Sequence, residues 1–183
     1  MAAAPVLNRA FMQTCWLVPD LAAAIDGWVR TAGVGPFFWF DDVGATEGRH
    51  RGQPADFPTS TAAIAYAGDL QIELVCQEND EPGIFRDLFP RGQYGLHHVA
   101  VISDDYETDR DAYLAGGAEL AYEARIGCHG VMARWSKFGH GEPFQQMSSG
   151  WTMTSHAHRG SSVRLALAPW MVRCVCTVTS PSS

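Results

Sequence analysis

The chain has 183 residues, 46% of them hydrophobic and 18% charged, with a formal net charge of −7. That length suits one domain or two small halves sharing a core, and the acidic balance excludes a surface built to follow phosphate backbones, so nucleic acid is not expected as a partner. Five cysteines without framework spacing, and an opening MAAAPVLNRAF that lacks the basic start and long apolar stretch of a secretory signal, lead to the expectation of a cytoplasmic protein.

Residues 11–18, FMQTCWLV, mix apolar and β-forming side chains and predict a strand. Asp20 follows Pro19 and can cap a helix through LAAAIDGWVRTA, with Leu21, Ile25, Trp28 and Val29 on one stripe and Gly33 as its stop. GPFFWFDDV, 35–43, is an aromatic strand, and STAAIAYA with LQIELVCQ predicts a hairpin turning at Gly68-Asp69. EPGIFRDLF, 81–89, is expected as a short helix, LHHVAVIS, 96–103, as a strand, and Tyr106 to Ala115 as a helix ended by Gly116-Gly117. AELAYEARI, 118–126, completes a second strand–helix–strand run.

This order contains a weak repeat. With Gln13 placed over His98, Asp20 falls on Asp105 and Gly33 near Gly117, so Gln13 and His98 become equivalent positions of two strands. Strands that open two copies of one module can lie side by side, with inward side chains converging on one cavity. In QIELV, Gln71 and Glu73 share a face because the strand period is two. A buried carboxylate is costly unless it is paired or metal-bound, and Gln, Glu and His make a mixed oxygen–nitrogen site suited to Zn, Ni, Co, Mn or Fe. Each residue also has an ordinary reading, His98 as a hydrogen-bonded strand residue and Glu73 as a solvated edge charge. His97, next to His98, is expected on the opposite face, so that only one histidine enters the cavity.

The final third differs in composition. Only Glu142 among the twenty acids lies beyond Glu123, and stretches such as SSGWTMTSHAHRGSSVR have neither helical nor strand periodicity. LALAPWMVRCVCTV is apolar but is interrupted by Pro169 and Arg173 and falls short of the ~20 residues a membrane span needs.

FMQTCWLVPDLAAAIDGWVRTAGVGPFFWFDDV, GDLQIELVCQENDEPGIFRDLF and GLHHVAVISDDYE resemble the vicinal oxygen chelate superfamily, in its glyoxalase and methylmalonyl-CoA epimerase-like branch, over about residues 10–126. The resemblance implies an α+β fold in which two βαβββ modules form a curved mixed sheet around a central cavity. Residues 8–80 would be the first module, 81–94 a linker helix and 95–140 a partial second module, leaving 141–183 as an atypical tail for which disorder is one reading. It implies a divalent metal ion held by Gln13, Glu73 and His98, with Glu73 also the catalytic acid–base, and a small-molecule substrate. The activity implied is that of a metal-dependent lyase, isomerase or epimerase moving a proton next to a carbonyl. A homodimer is compatible with it, since such sites are sometimes completed by a partner subunit.

The chain departs from the family at the fourth ligand. No strand bearing a glutamate follows residue 126; Glu142 sits between Gly141 and Pro143, which suits a turn, and His129 and His140 are further donors. One explanation is a change of reading frame around residues 124–135. Three other readings stay open: a ring-cleaving extradiol-type dioxygenase, disfavoured by Gln13 where a second histidine is needed; a metal-free binding protein of the bleomycin-resistance kind; and an inactive product lacking its last strand. Aromatic residues of GPFFWF could wall the cavity.

Overall fold

Both halves of the chain turn from strand to helix on an aspartate, as the repeat predicts. In the computed structural model, Asp20 accepts the amide of Ala23 at 2.9 Å to cap helix α1 (Leu21–Gly27). Asp105 accepts the amide of Thr108 at 3.1 Å and its hydroxyl at 2.7 Å to cap α2 (Tyr106–Ala115). Each bond satisfies a donor that the first helical turn leaves open. A π-helical turn, Trp28–Ala32, prolongs α1 until Gly33, whose φ of 66° ends it in the left-handed region. The structure describes residues 10–41 and 43–126, and the backbone of 130–136, 146–150 and 163–166. Among the described residues, no helix is long and apolar enough to cross a membrane.

The strands are β1 (Gln13–Leu17), β2 (Phe37–Phe40), β3 (Thr46–His50), β4 (Gln53–Pro54), β5 (Ser60–Ala67), β6 (Leu70–Gln77), β7 (Gly95–Ile102), β8 (Glu119–Ile126), β9 (Gly130–Ser136), β10 (Gln146–Gly150) and β11 (Val163–Ala166). They form one curved mixed sheet in the order β11-β2-β5-β6-β1-β7-β10-β9-β8-β3-β4. The β5–β6 hairpin turns at Gly68-Asp69 as expected, pairing Ala67 with Leu70, and Gly68 takes the positive φ of 63° such a turn requires. β1 runs parallel to β6, β7 runs parallel to β10, and β1 and β7 meet antiparallel at the centre. This is the pseudo-twofold relation that superposing Gln13 on His98 implies.

The sheet has two distinct faces. On one, Leu21, Ile25 and half-buried Trp28 and Val29 of the α1 segment pack on Ala63, Ala65, Ile72 and Leu74. On the other, Cys15, Leu17, Ala62, Val75 and Ala100 meet Ile84, Phe85, Tyr122 and Ala124. Fully burying such aliphatic and aromatic side chains stabilises by roughly 1.5–3 kcal/mol each, and β-strand alternation is what sorts them between the faces.

Four details differ from the sequence-based expectations or add to them. Residues 81–94 form turns rather than a linker helix: bonds from Asp87 N to Gly83 O and from Phe89 N to Phe85 O are helical in type, but Pro82-Gly83 and Pro90 confine them to about one turn, too short to propagate. Second, the stretch around 46–54 forms the unforeseen β3–β4 hairpin, turned by Arg51 and Gly52 with φ of 49° and 78°. At Gly48 an added Cβ would lie 2.2 Å from the Ala55 carbonyl, so only glycine fits there. Asp87 ties this hairpin to the linker through His50 Nε2 at 2.8 Å and Arg51 at 3.0 Å. Third, the backbone of the second module extends past residue 140 into its last strand, β10, which pairs with β7 and β9; β11 pairs with β2. Both lie in the stretch expected as an atypical tail. Fourth, the aromatic run does not act as one wall: Phe37 and Trp39 pack on the helix side, while Phe38 and Phe40 pair with Ile64 and Ala62 of the opposite face.

Candidate functional site

Strand register arranges the inner face as successive rows across β5, β6, β1 and β7. One row reads Tyr66, Gln71, Gln13, Ala100; the next reads Ile64, Glu73, Cys15, His98; a third begins Ala62, Val75, Leu17. The third row is closed by Ile84, Phe85 and Tyr122, so that end of the cavity is packed apolar core. Among the described residues, the first two rows hold the polar groups around Glu73 and His98, and a further polar pair, Ser60 and Gln77, lies beyond the apolar third row. The three residues singled out from the sequence lie on one face: Glu73 and His98 share a row, flanking Cys15, and Gln13 stands in the row above.

The geometry at Glu73 and His98 is close. Glu73 Oε2 lies 3.8 Å from His98 Nε2, with the histidine side chain 1% exposed and the carboxylate 16%. Two donors on one tetrahedral ion with bonds near 2.0–2.1 Å are about 3.3 Å apart, so a small contraction would bring both onto a single cation. Gln13 contributes a further donor. Its Nε2 donates to Gln71 Oε1 at 2.6 Å, and Gln71 Nε2 donates to the Tyr66 hydroxyl at 2.7 Å. This chain uses the amide nitrogen of Gln13, leaving its carbonyl Oε1 buried without a hydrogen-bond partner among the described residues. An unsatisfied buried carbonyl is costly, and a cation is one group that would satisfy it. Oxygen and nitrogen donors of this kind fit a divalent first-row ion.

His97 is not where simple alternation would send it. Between β1 and β7, Cys15 pairs with His98 but Trp16 pairs with Leu96, so His97 is the extra residue of a β-bulge. A bulge breaks the period of two and re-aims side chains. Both histidines are consequently buried and in contact, with Nδ1 to Nδ1 at 3.0 Å and ring centroids 5.3 Å apart, which corrects the expectation that only one enters the cavity. His97 Nε2 lies 3.1 Å from the Ile84 carbonyl, and its ring packs on Phe85 with centroids 5.0 Å apart.

For neutral rings these contacts assign the tautomers. A carbonyl can only accept, so His97 carries its hydrogen on Nε2 and, when neutral, accepts on Nδ1. The hydrogen between the two rings then belongs to His98 Nδ1. The lone pair of His98 is left on Nε2, the atom facing Glu73, which is how second-sphere hydrogen bonds usually orient a metal-binding imidazole. Neither His97 nor Cys15 stands out from the sequence as a site residue. A buried cysteine is ordinarily core, and the only available signal for His97 was the doubled histidine itself.

The fourth position is also defined by register. Thr14 pairs with Ile72, one residue before Glu73; the equivalent Val99 pairs with Gln146, one residue before Met147. Met147 thus holds the register position in the second module that Glu73 holds in the first. Glu142, His129 and His140 lie outside the described residues.

A separate cavity of about 500 Å³ lies between the β3 hairpin, α2 and β8, lined by Arg49, Arg110, Arg125, Glu47, Tyr106 and Glu123. Tyr106 donates to Glu123 there. Burial, together with the bond and charge of Glu123, pushes the tyrosine pKa well above its ordinary value, so the phenol stays protonated.

Among known proteins, the model of the Glyoxalase/Bleomycin resistance protein/Dioxygenase superfamily matches residues 12–133. Solved structures with the same fold include a methylmalonyl-CoA epimerase in complex with methylmalonyl-CoA and NH4+, at TM-score 0.53 and 15% identity over 76% of this chain and 94% of that one. Methylmalonyl-CoA epimerase from Mycobacterium tuberculosis aligns at TM-score 0.52 and 16% identity, over 81% of this chain and 92% of its own. A mutant of 4-hydroxymandelate synthase from Streptomyces coelicolor aligns at TM-score 0.53 and 16% identity, over 76% of this chain but 38% of that longer one. No curated protein matches the chain. With two-thirds of its length matched by the family model and strand pairing of the same fold, the chain belongs to the Glyoxalase/Bleomycin resistance protein/Dioxygenase superfamily.

Proposed function

We propose that the protein is a metal-dependent lyase, isomerase or epimerase that moves a proton at carbon next to a carbonyl of a small-molecule substrate. The observation that carries this reading is the approach of Glu73 Oε2 to His98 Nε2, 3.8 Å apart on the face that also presents the Gln13 carbonyl oxygen. His98 Nε2, a Glu73 oxygen and Gln13 Oε1 would hold the ion. A divalent cation there would act as a Lewis acid toward substrate oxygens and lower the cost of charge developing on them.

The remaining chemistry belongs to side chains. Glu73 is the one carboxylate in the two polar rows and is partly accessible, which suits a group that must take a proton from substrate and return it. The Gln71–Tyr66 chain holds Gln13 in place. Tyr66 and Phe38 are exposed beside these rows, so substrate would enter past them, while the packed end at Leu17, Ile84 and Phe85 excludes water from below. The epimerases with this fold favour proton transfer over oxygen chemistry, as does Gln13 in place of a second first-strand histidine. A cytoplasmic setting and pairing of two copies belong to the same reading.

Metal analysis of the purified protein tests it. About one divalent ion per site, lost in both Glu73→Ala and His98→Ala, is the expected result. Tight small-molecule binding by protein that takes up no metal would instead support sequestration of the bleomycin-resistance kind.

A further inference from the structure

Beneath the outer donors lies a second set that proton transfer does not use. Cys15, His97 and His98 are all buried, and one donor atom from each falls within 4.8 Å of the other two. The cysteine is not disulfide-bonded and sits opposite His98 in the register. The two Nδ1 atoms are 3.0 Å apart, near the ~3.3 Å that two imidazole nitrogens adopt on one tetrahedral ion. Ile84 O already holds the far side of His97 at 3.1 Å, the second-sphere support that imidazole ligands commonly have. The β-bulge creates the set: without the extra residue at 97, the ring would face away from Cys15.

We infer that Cys15, His97 Nδ1 and His98 Nδ1 form a deep site for a thiophilic cation such as Cd²⁺ or Zn²⁺, and that filling it closes the outer site. One sulfur and two nitrogens select soft or borderline ions over Mg²⁺ and Mn²⁺. On binding, the Cys15 thiol loses its proton to solvent and its sulfur bonds the metal. The hydrogen shared between the imidazoles leaves Nδ1 of His98 and passes to its Nε2. A neutral imidazole has one lone pair, so His98 then has none to offer beside Glu73. The two sites exclude each other through one ring. Existence of the deep site is independent of the outer one; only the exclusion rests on the metal-dependent reading above.

The test titrates Cd²⁺ into the full chain and reads thiolate-to-metal charge transfer in the near ultraviolet, with Mn²⁺ binding followed separately by electron paramagnetic resonance. The expected result is a band at one equivalent that is lost in Cys15→Ser and kept in Cys76→Ser, with one equivalent of Cd²⁺ weakening Mn²⁺ binding at least tenfold in the wild type only. No band, or a band that survives Cys15→Ser, overturns the deep site. A Cys15-dependent band with undiminished Mn²⁺ binding overturns the exclusion. A Cys15-dependent band in a protein that never binds Mn²⁺ contradicts the outer site and leaves the deep one standing. Should Cys15→Ser fail to fold, X-ray absorption of the wild-type Cd²⁺ complex decides: one sulfur and two imidazole nitrogens support the site, and an all-oxygen shell overturns it.

Discussion

The two modules use the same backbone and arm it differently. In the first, β1 and β6 run parallel and carry Gln13 and Glu73; in the second, β7 and β10 run parallel, with His98 on β7 and Met147 at the register position of β10 equivalent to Glu73. On the proposed reading the first half would supply oxygen donors and the second nitrogen, with Met147 rather than a carboxylate at the register position equivalent to Glu73. A pseudo-twofold fold repeats register positions, but it does not dictate what stands at each. The asymmetry continues within the row of Glu73 and His98, where Cys15 stands between them and the bulge brings in His97. A lopsided donor set is therefore compatible with a symmetric scaffold.

Substitutions can break or sharpen this contrast. The largest effect is expected from Phe85→Ala, which opens the packed end of the inner face that both modules share; a loss of about 3–5 kcal/mol in urea denaturation is expected. Next comes His97→Phe. It removes the acceptor that orients His98, and Mn²⁺ affinity by calorimetry should fall about 10–100-fold, the range for lost second-sphere partners, with His97→Gln falling less. Met147→Glu makes the second module match the first, and should raise Mn²⁺ affinity about tenfold, because carboxylate count tunes affinity for hard divalent ions. Asp20→Ala removes the first-module cap and should cost ~1 kcal/mol of stability.

The smallest effect concerns the matching cap. The hydroxyl and amide of Thr108 hold the Asp105 carboxyl below its ordinary pKa. A carboxylate depressed in the folded state stabilises above its unfolded pKa of about 3.9 and loses that contribution as pH falls through the folded value. Asp105→Asn should therefore flatten the acid limb of the stability curve below about pH 4 and leave neutral pH almost unchanged. An unaltered acid limb would count against the cap as an ionic one.

Much of the scaffold was legible because local rules and the fold agree. Asp20 and Asp105 are helix caps by chemistry, Gly68-Asp69 is a hairpin turn by conformation, and the placement of Gln13, Glu73 and His98 on one face follows from strand alternation plus the internal repeat. Where alternation fails, the reading fails with it. His97 faces Cys15 only because of a bulge, which depends on pairing with a strand more than eighty residues away in sequence. The β3–β4 hairpin was missed for a similar reason: its turn uses Arg51 at positive φ, and Glu47, at φ 54°, sits where β3 slips by one residue against β8. Neither residue type signals that conformation. The short linker looked helical because Phe85, Phe89 and their neighbours have helical spacing, and its flanking prolines outweighed that pattern. The family match ends at residue 133, within the stretch where a change of reading frame was anticipated. Translating the coding DNA in its other two frames would test that idea; a glutamate-bearing strand should emerge in one of them, and its absence from both would make the tail this protein's own.

The gathering of Gln13, Glu73 and His98 around one cation is tested most directly by anomalous diffraction from crystals grown with Mn²⁺. A single strong peak should lie about 2.0–2.3 Å from Glu73 carboxylate oxygen and His98 Nε2, with the Gln13 carbonyl oxygen turned toward it. A peak bound elsewhere, or none at saturating Mn²⁺ with Glu73 turned out to solvent, would contradict the site.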